Sequence, residues 1–196
     1  MFRSIAWFLL SFVISSITCS NRTPTVHLDD ATLHGTFDGV ANRFLGIPFA
    51  KPPTGNLRFR LPVPNSPYSG NISLTQFGNS CPQQLTNITI PDTLPRNVSD
   101  TISNLTGRIF SPMPGSEDCL YLNVFAPPQA TPRSSLPVVA WIPGGGFEIG
   151  TASTFNGTAI IERSLQLGEP VIYISINYRS IRIHPEVQFS LRIFTW

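Results

Sequence analysis

The chain has 196 residues, with 41% hydrophobic and only 12% charged, about half the usual share of roughly a quarter. That composition excludes a disordered chain, and a net charge of +2 without any basic run points away from nucleic acid. Nineteen prolines and 14 glycines call for many turns.

The first 20 residues read as a secretory signal peptide. Arg3 supplies the positive flank, Ile5 to Ile17 forms a mostly apolar core, and Thr18-Cys19-Ser20 offers small residues for cleavage after Cys19 or Ser20. The apolar stretch is shorter than the ~20 residues needed to cross a bilayer, so no transmembrane anchor is expected; an uncleaved anchor is the alternative. The expected location is extracellular. Losing Cys19 leaves Cys81 and Cys119, and two cysteines in an oxidising compartment suggest one disulfide, with two buried free thiols as the alternative. Sequons at Asn21, Asn71, Asn87, Asn97, Asn104 and Asn156 are candidate N-glycosylation sites.

Thr25 to Leu28 and Thr32 to Thr36 read as strands flanking an Asp29-Asp30 turn. Phe37-Asp38-Gly39 turns the chain again before a strand over Asn42 to Ile47, and residues 51–70 are extended and looped, with seven prolines or glycines. Val98, Ile102, Leu105 and Ile109 fall on one face of a predicted helix, with Asn97 as its cap, Asp100 in its first turn and Gly107 as its end. Such a helix between the two cysteines is either a lid over a pocket or a piece packed permanently on the body.

Leu120 to Phe125 reads as a strand, Pro127 to Pro137 as a proline-rich turn, and Val138 to Ile142 as a buried strand. Thr158 to Leu167 is helical, with Ile160, Ile161 and Leu165 expected inward and Glu162 and Arg163 outward. Gly168-Glu169-Pro170 stops it, and Val171 to Ile176 is another buried strand. Strand, loop, helix and strand make one βαβ unit, which implies a parallel pair and an α/β sheet.

Between the Val138–Ile142 strand and its helix lies Pro143-Gly144-Gly145-Gly146-Phe147. Three glycines let the backbone turn sharply and aim bare N–H groups into a cleft. A pair of such donors can hold an oxyanion, and one donor is worth ~3 kcal/mol of transition-state stabilisation. A tight, flexible loop is the plainer reading.

Several segments together resemble the type-B carboxylesterase/lipase family, which includes cholinesterases and fungal secreted lipases. They are Phe44-Leu45-Gly46-Ile47-Pro48-Phe49-Ala50-Lys51-Pro52-Pro53, Gly55 to Arg60, Ser116-Glu117-Asp118-Cys119-Leu120-Tyr121-Leu122-Asn123-Val124, Trp141 to Phe147, and Ile174-Ser175-Ile176-Asn177-Tyr178-Arg179. Phe147-Glu148-Ile149-Gly150 leans toward the fungal lipase-like branch. The resemblance implies the N-terminal part of an α/β-hydrolase fold over residues 21–179: short antiparallel strands leading into a mostly parallel sheet, incomplete. It implies that Gly145 and Gly146 are oxyanion donors, that Gly144 allows the turn, and that Phe147 walls the acyl pocket. A Cys81–Cys119 bridge would close the first loop, beside a structural ion pair of Arg58 and Glu117. The substrate would be a carboxylic ester or lipid, with no metal or organic cofactor.

A serine hydrolase also needs a nucleophile, a histidine and an acid, with the serine in G-x-S-x-G and the acid and histidine after it. No G-x-S-x-G occurs; Gly78-Asn79-Ser80-Cys81-Pro82 lacks the second glycine. After Arg179 the resemblance stops, and Ser180 to Trp196 reads as a divergent tail from a gene-model error or a read-through intron, with a natural truncated product as the alternative. His27, His34 and His184 read as ordinary structural histidines. The expectation is therefore a chain without its catalytic triad, inactive as written and poorly folded, whose Val171–Ile176 strand lacks a sheet neighbour. A non-catalytic cholinesterase-like binding glycoprotein is the alternative, and a fragment that pairs with a full-length relative is a third.

Overall fold

The computed structural model describes residues 23–83, 93–109 and 115–179. The expected signal peptide at 1–20, Asn21, Asn87, His184 and the 180–196 tail lie outside the described residues. So do the side chains of Leu105 and Ile109.

A three-stranded sheet comes first, in the order β1 (Thr25–Leu28), β2 (Asp30–His34), β5 (Ser69–Ser73). The β1–β2 hairpin turns on Asp29, whose φ of 51° lies in the left-handed region that aspartate tolerates. Period-two alternation sends Ala31 and Leu33 into the core and Asp30, Thr32 and His34 outward. Tyr68 docks the incoming chain, its hydroxyl donating to the Pro48 carbonyl.

A five-stranded sheet follows, in the order β3 (Thr36–Phe37), β4 (Asn42–Pro48), β6 (Tyr121–Ala126), β8 (Ile172–Ile176), β7 (Val138–Trp141). Parallel pairing occurs only between β7 and β8 there; the other pairs are antiparallel. The expected βαβ unit is present, with α2 (Thr158–Gln166) as its crossover. One expectation is corrected. β8 has partners on both sides, because it inserts between β6 and β7, so among the described residues the outer strands of this sheet are β3 and β7.

Leu122 and Val124 of β6 face the core shared with β2, with Phe44, Ile47, Ile172 and Ile176. Phe125 faces the opposite side, against Leu45, Tyr173 and Ile161 of α2. Burying Ile161 contributes about 2 kcal/mol. Gly157 lets the start of α2 rest on the Phe125–Tyr173 ring pair, since a Cβ there would lie 2.2 Å from the Tyr173 ring. The inward set of α2 is also corrected. Ile161 and Ser164 are buried, whereas Ile160 and Leu165 are exposed. The helix packs Ile161 against Phe125 and Tyr173 and turns Ser164 inward, where its Oγ donates to the Ile161 carbonyl and receives the Val171 N–H, while Ile160 and Leu165 fall outward.

Helix α1 (Arg96–Ile109) starts earlier and ends later than its spacing suggested. The Pro95 carbonyl takes the Val98 and Ser99 N–H groups, so Asn97 sits inside the first turn rather than capping it, and the helix runs through Gly107. No side chain from Arg96 to Asn104 is buried. Among the described residues no helix is long and apolar enough to cross a membrane.

Candidate functional site

β7 delivers the chain to Pro143 and the glycine turn. Gly145 has φ 145°, and Gly146 and Phe147 both have φ 63°. The Gly145 carbonyl accepts the Glu148 and Ile149 N–H groups at 3.1 and 3.2 Å, closing the turn on itself. A Cβ on Gly145 would lie 2.1 Å from the Ile149 carbonyl oxygen, and one on Gly150 (φ 118°) would lie 2.6 Å from the Gly144 carbonyl oxygen. The two legs thus meet backbone on backbone. Gly144 and Gly146 have open space around them. Glycine is required sterically at 145 and 150, and the sequence offered Gly150 only as part of the Phe147–Gly150 variant because its steric need arises from the opposing leg.

Among the described residues the N–H groups of Gly145 and Gly146 donate no hydrogen bond. Bare donors at a strand end are able to bind an anion. Phe147 is 73% exposed, and its ring meets Tyr178 edge-on with centroids 6.0 Å apart. A bulky residue at positive φ costs about 1–3 kcal/mol and concentrates at functional turns.

The return leg is tied to the far end of β8. Asn177, only 4% exposed, accepts the Ala152 N–H at 2.7 Å and the Thr151 hydroxyl at 3.3 Å on its amide oxygen. Its amide nitrogen donates to the carbonyls of Asn79 and Cys119, each at 3.0 Å. A fully partnered buried amide fixes geometry where a half-satisfied one would cost stability. Asn177 lay within a recognised motif, but only its contacts give it a role.

The expected Cys81–Cys119 disulfide is present, with Cα atoms 4.9 Å apart in a buried cluster with Ala50 and Leu120. Beside it Arg58 grips Glu117 in a two-pronged pair, 2.6 Å on each arm. The hydrogen bond from Arg58 holds the Glu117 carboxyl below its usual range. Tyr121, next along the chain, is pushed up to about 12 by burial and by its hydrogen bond to Asp118.

The remaining sites lie apart from the turn. His27 meets Thr32 and His34 meets Asn71, all in the three-stranded sheet. Asn71, Asn97, Asn104 and Asn156 are exposed. Among the described residues no group of three or more His, Cys, Asp and Glu could hold a metal ion.

A model of the Carboxylesterase family matches residues 22–180. The chain is 43% identical over 158 residues to Lipase 2 of Diutina rugosa, covering 80% of this chain and 28% of that lipase. It is 38% identical over 157 residues to Secreted lipase 1 of Botryotinia fuckeliana, covering 80% and 27%. Its structure resembles the crystal structure of Aspergillus niger EstA with a TM-score of 0.63 at 30% identity, covering 83% of this chain and 27% of EstA. The chain therefore spans under a third of the length of the curated relatives it matches. With a family match over 22–180 and the α/β-hydrolase strand arrangement of its structural neighbours, this chain belongs to the carboxylesterase family.

Proposed function

We propose that residues 21–179 are the N-terminal part of a secreted, glycosylated serine hydrolase of carboxylic esters or lipids, and that they supply its oxyanion loop. The observation that carries this reading is the pair of unbonded N–H groups at Gly145 and Gly146, in a turn that tolerates no side chain at Gly145. In the complete enzyme a serine attacks the ester carbonyl, and the tetrahedral oxyanion develops where these two donors point. The leaving alcohol departs, and water then releases the acid from the acyl-enzyme. Phe147 lines the acyl side, together with elements from outside this chain. Secretion rests on the leader-like residues 1–20 and on relatives named as secreted.

The nucleophile, acid and histidine come from beyond residue 180. Loss of a triad removes about 10⁶ in kcat, and an oxyanion hole with binding alone retains only ~10³–10⁴ over water. The 196 residues by themselves hydrolyse nothing in this reading. The absence of G-x-S-x-G favours one second reading, a non-catalytic binding glycoprotein of the same fold. The retained glycine turn argues against it, since a binding module has no use for oxyanion donors.

Two measurements test this. Sequencing the transcript across Arg179 is expected to reveal G-x-S-x-G, then Glu or Asp, then His; their absence would favour the binder. A serine-reactive phosphonate is expected to leave the 196-residue chain unlabelled, and covalent labelling would refute the assignment of the nucleophile to a later segment.

A further inference from the structure

The glycine turn is held through its return leg, and the holding groups come from distant parts of the chain. Gly150 donates its N–H to Gln83 Oε1 at 3.1 Å, across 67 residues. Gln83 lies two residues past Cys81, on the arm that the disulfide fixes to Cys119. Gly150 lies close against the other leg of the turn, since a Cβ there would come within 2.6 Å of the Gly144 carbonyl oxygen and 3.3 Å of the Pro143 ring, so a shift of Gly150 is felt by the turn. Ile149 lies close against Gly145 in the same way, its carbonyl oxygen 2.1 Å from where a Cβ would stand. From the other side Asn177 joins Ala152 to the Cys119 carbonyl. Both halves of the disulfide therefore reach the return leg, Cys81 through Gln83 and Cys119 through Asn177.

We propose that Gln83 is a positioning residue: its amide oxygen holds Gly150 and so fixes where the Gly145 and Gly146 N–H groups point, with the disulfide arm as the fixed reference. The residue type suits the task. A glutamine oxygen accepts the N–H without adding negative charge beside donors meant for an oxyanion, whereas a glutamate would oppose that charge. Gln83 itself touches no reacting atom; it acts through Gly150. The catalytic meaning rests on the ester-hydrolase reading above, while the geometry stands without it.

The test is nuclear magnetic resonance of the dilute 196-residue chain labelled with ¹⁵N-glycine, comparing Gln83→Met and Gln83→Glu. Methionine keeps the length and removes the amide acceptor, and glutamate keeps an acceptor. In Gln83→Met the Gly150 N–H is expected to exchange roughly fivefold to tenfold faster, as loss of one hydrogen bond implies. The Gly145 and Gly146 signals are expected to shift or broaden, with a denaturation midpoint lowered by no more than the loss of one hydrogen bond allows, and Gln83→Glu is expected to restore all three. Unmoved Gly145 and Gly146 signals in Gln83→Met would overturn the proposal, as would an unchanged Gly150. Should the methionine variant fail to fold, Gln83→Glu decides alone. A Gly150 N–H shift that titrates with the new carboxyl supports the contact, and a pH-independent one rejects it. None of these readouts involves turnover, so failure of the ester-hydrolase reading and failure of this proposal are separable.

Discussion

Gly144, Gly145 and Gly146 look alike in the sequence, yet the structure asks different things of them. Gly145→Ala would drive a Cβ to within 2.1 Å of the Ile149 carbonyl oxygen at a φ of 145°. A loss of about 3 kcal/mol or more in unfolding free energy is expected. Gly146→Ala meets open space but keeps a left-handed φ, and about 1–2 kcal/mol is expected. Gly144→Ala meets neither obstacle and should stay within about 0.5 kcal/mol. Urea denaturation of the three variants checks the ranking, and a Gly144 variant as damaged as Gly145 would contradict it. The triplet was legible as a turn from its glycines alone. The unequal burden within it was not, because it comes from Ile149 and Gly150 folding back, a contact that residue identity does not announce.

At the scale of elements, Asp38 joins the β3–β4 turn to the start of α2. Its carboxylate accepts the Val40 and Ala41 N–H groups at 3.1 and 2.9 Å and the Thr158 hydroxyl at 2.5 Å. Burial pushes the Asp38 carboxyl up, but the bonds from Thr158, Ala41 and Val40 and the charge of Arg43 outweigh it and hold it below its usual range. A depressed carboxylate stabilises the fold above its unfolded value of about 3.9, and that contribution is lost as pH falls through the folded value. Thr158→Val is therefore expected to lower stability by roughly 1 kcal/mol at pH 7. The gap to the parent should narrow as pH falls below the unfolded value and on through the lowered folded one. Thermal melts at pH 7 and at pH 3 check this, and a gap that widens in acid would be the contrary result. Most strand positions were readable from period-two runs such as Ala31 and Leu33. The orientation of α2 was not, since Ile160, Ile161 and Leu165 compete for one face and only the packing of Ile161 on Phe125 and Tyr173 shows which of them is buried.

Across the whole molecule, sequence order and strand order part company. The βαβ unit was visible as two apolar runs around an amphipathic helix, and the family through five motifs in order. That β8 would insert between β6 and β7 was not visible, because no local pattern encodes which strand a crossover lands beside. The consequence among the described residues is an open β7 edge whose Val138 and Val139 are 48% and 44% exposed, with Ile160 and Leu165 exposed on the crossover helix and Leu167 exposed just past it. An apolar strand with an open edge is prone to pair with another chain. On the proposed function, residues 22–179 carry a working oxyanion loop and need a serine from elsewhere in the complete enzyme. The most direct measurement is ester turnover by a chimera in which residues 22–179 replace the matched segment of the lipase that shares 43% identity. Butyrate-ester hydrolysis that disappears when the chimera's own G-x-S-x-G serine is changed to alanine is the predicted result. A chimera with the lipase's circular dichroism spectrum and an intact serine that leaves the ester untouched would contradict it.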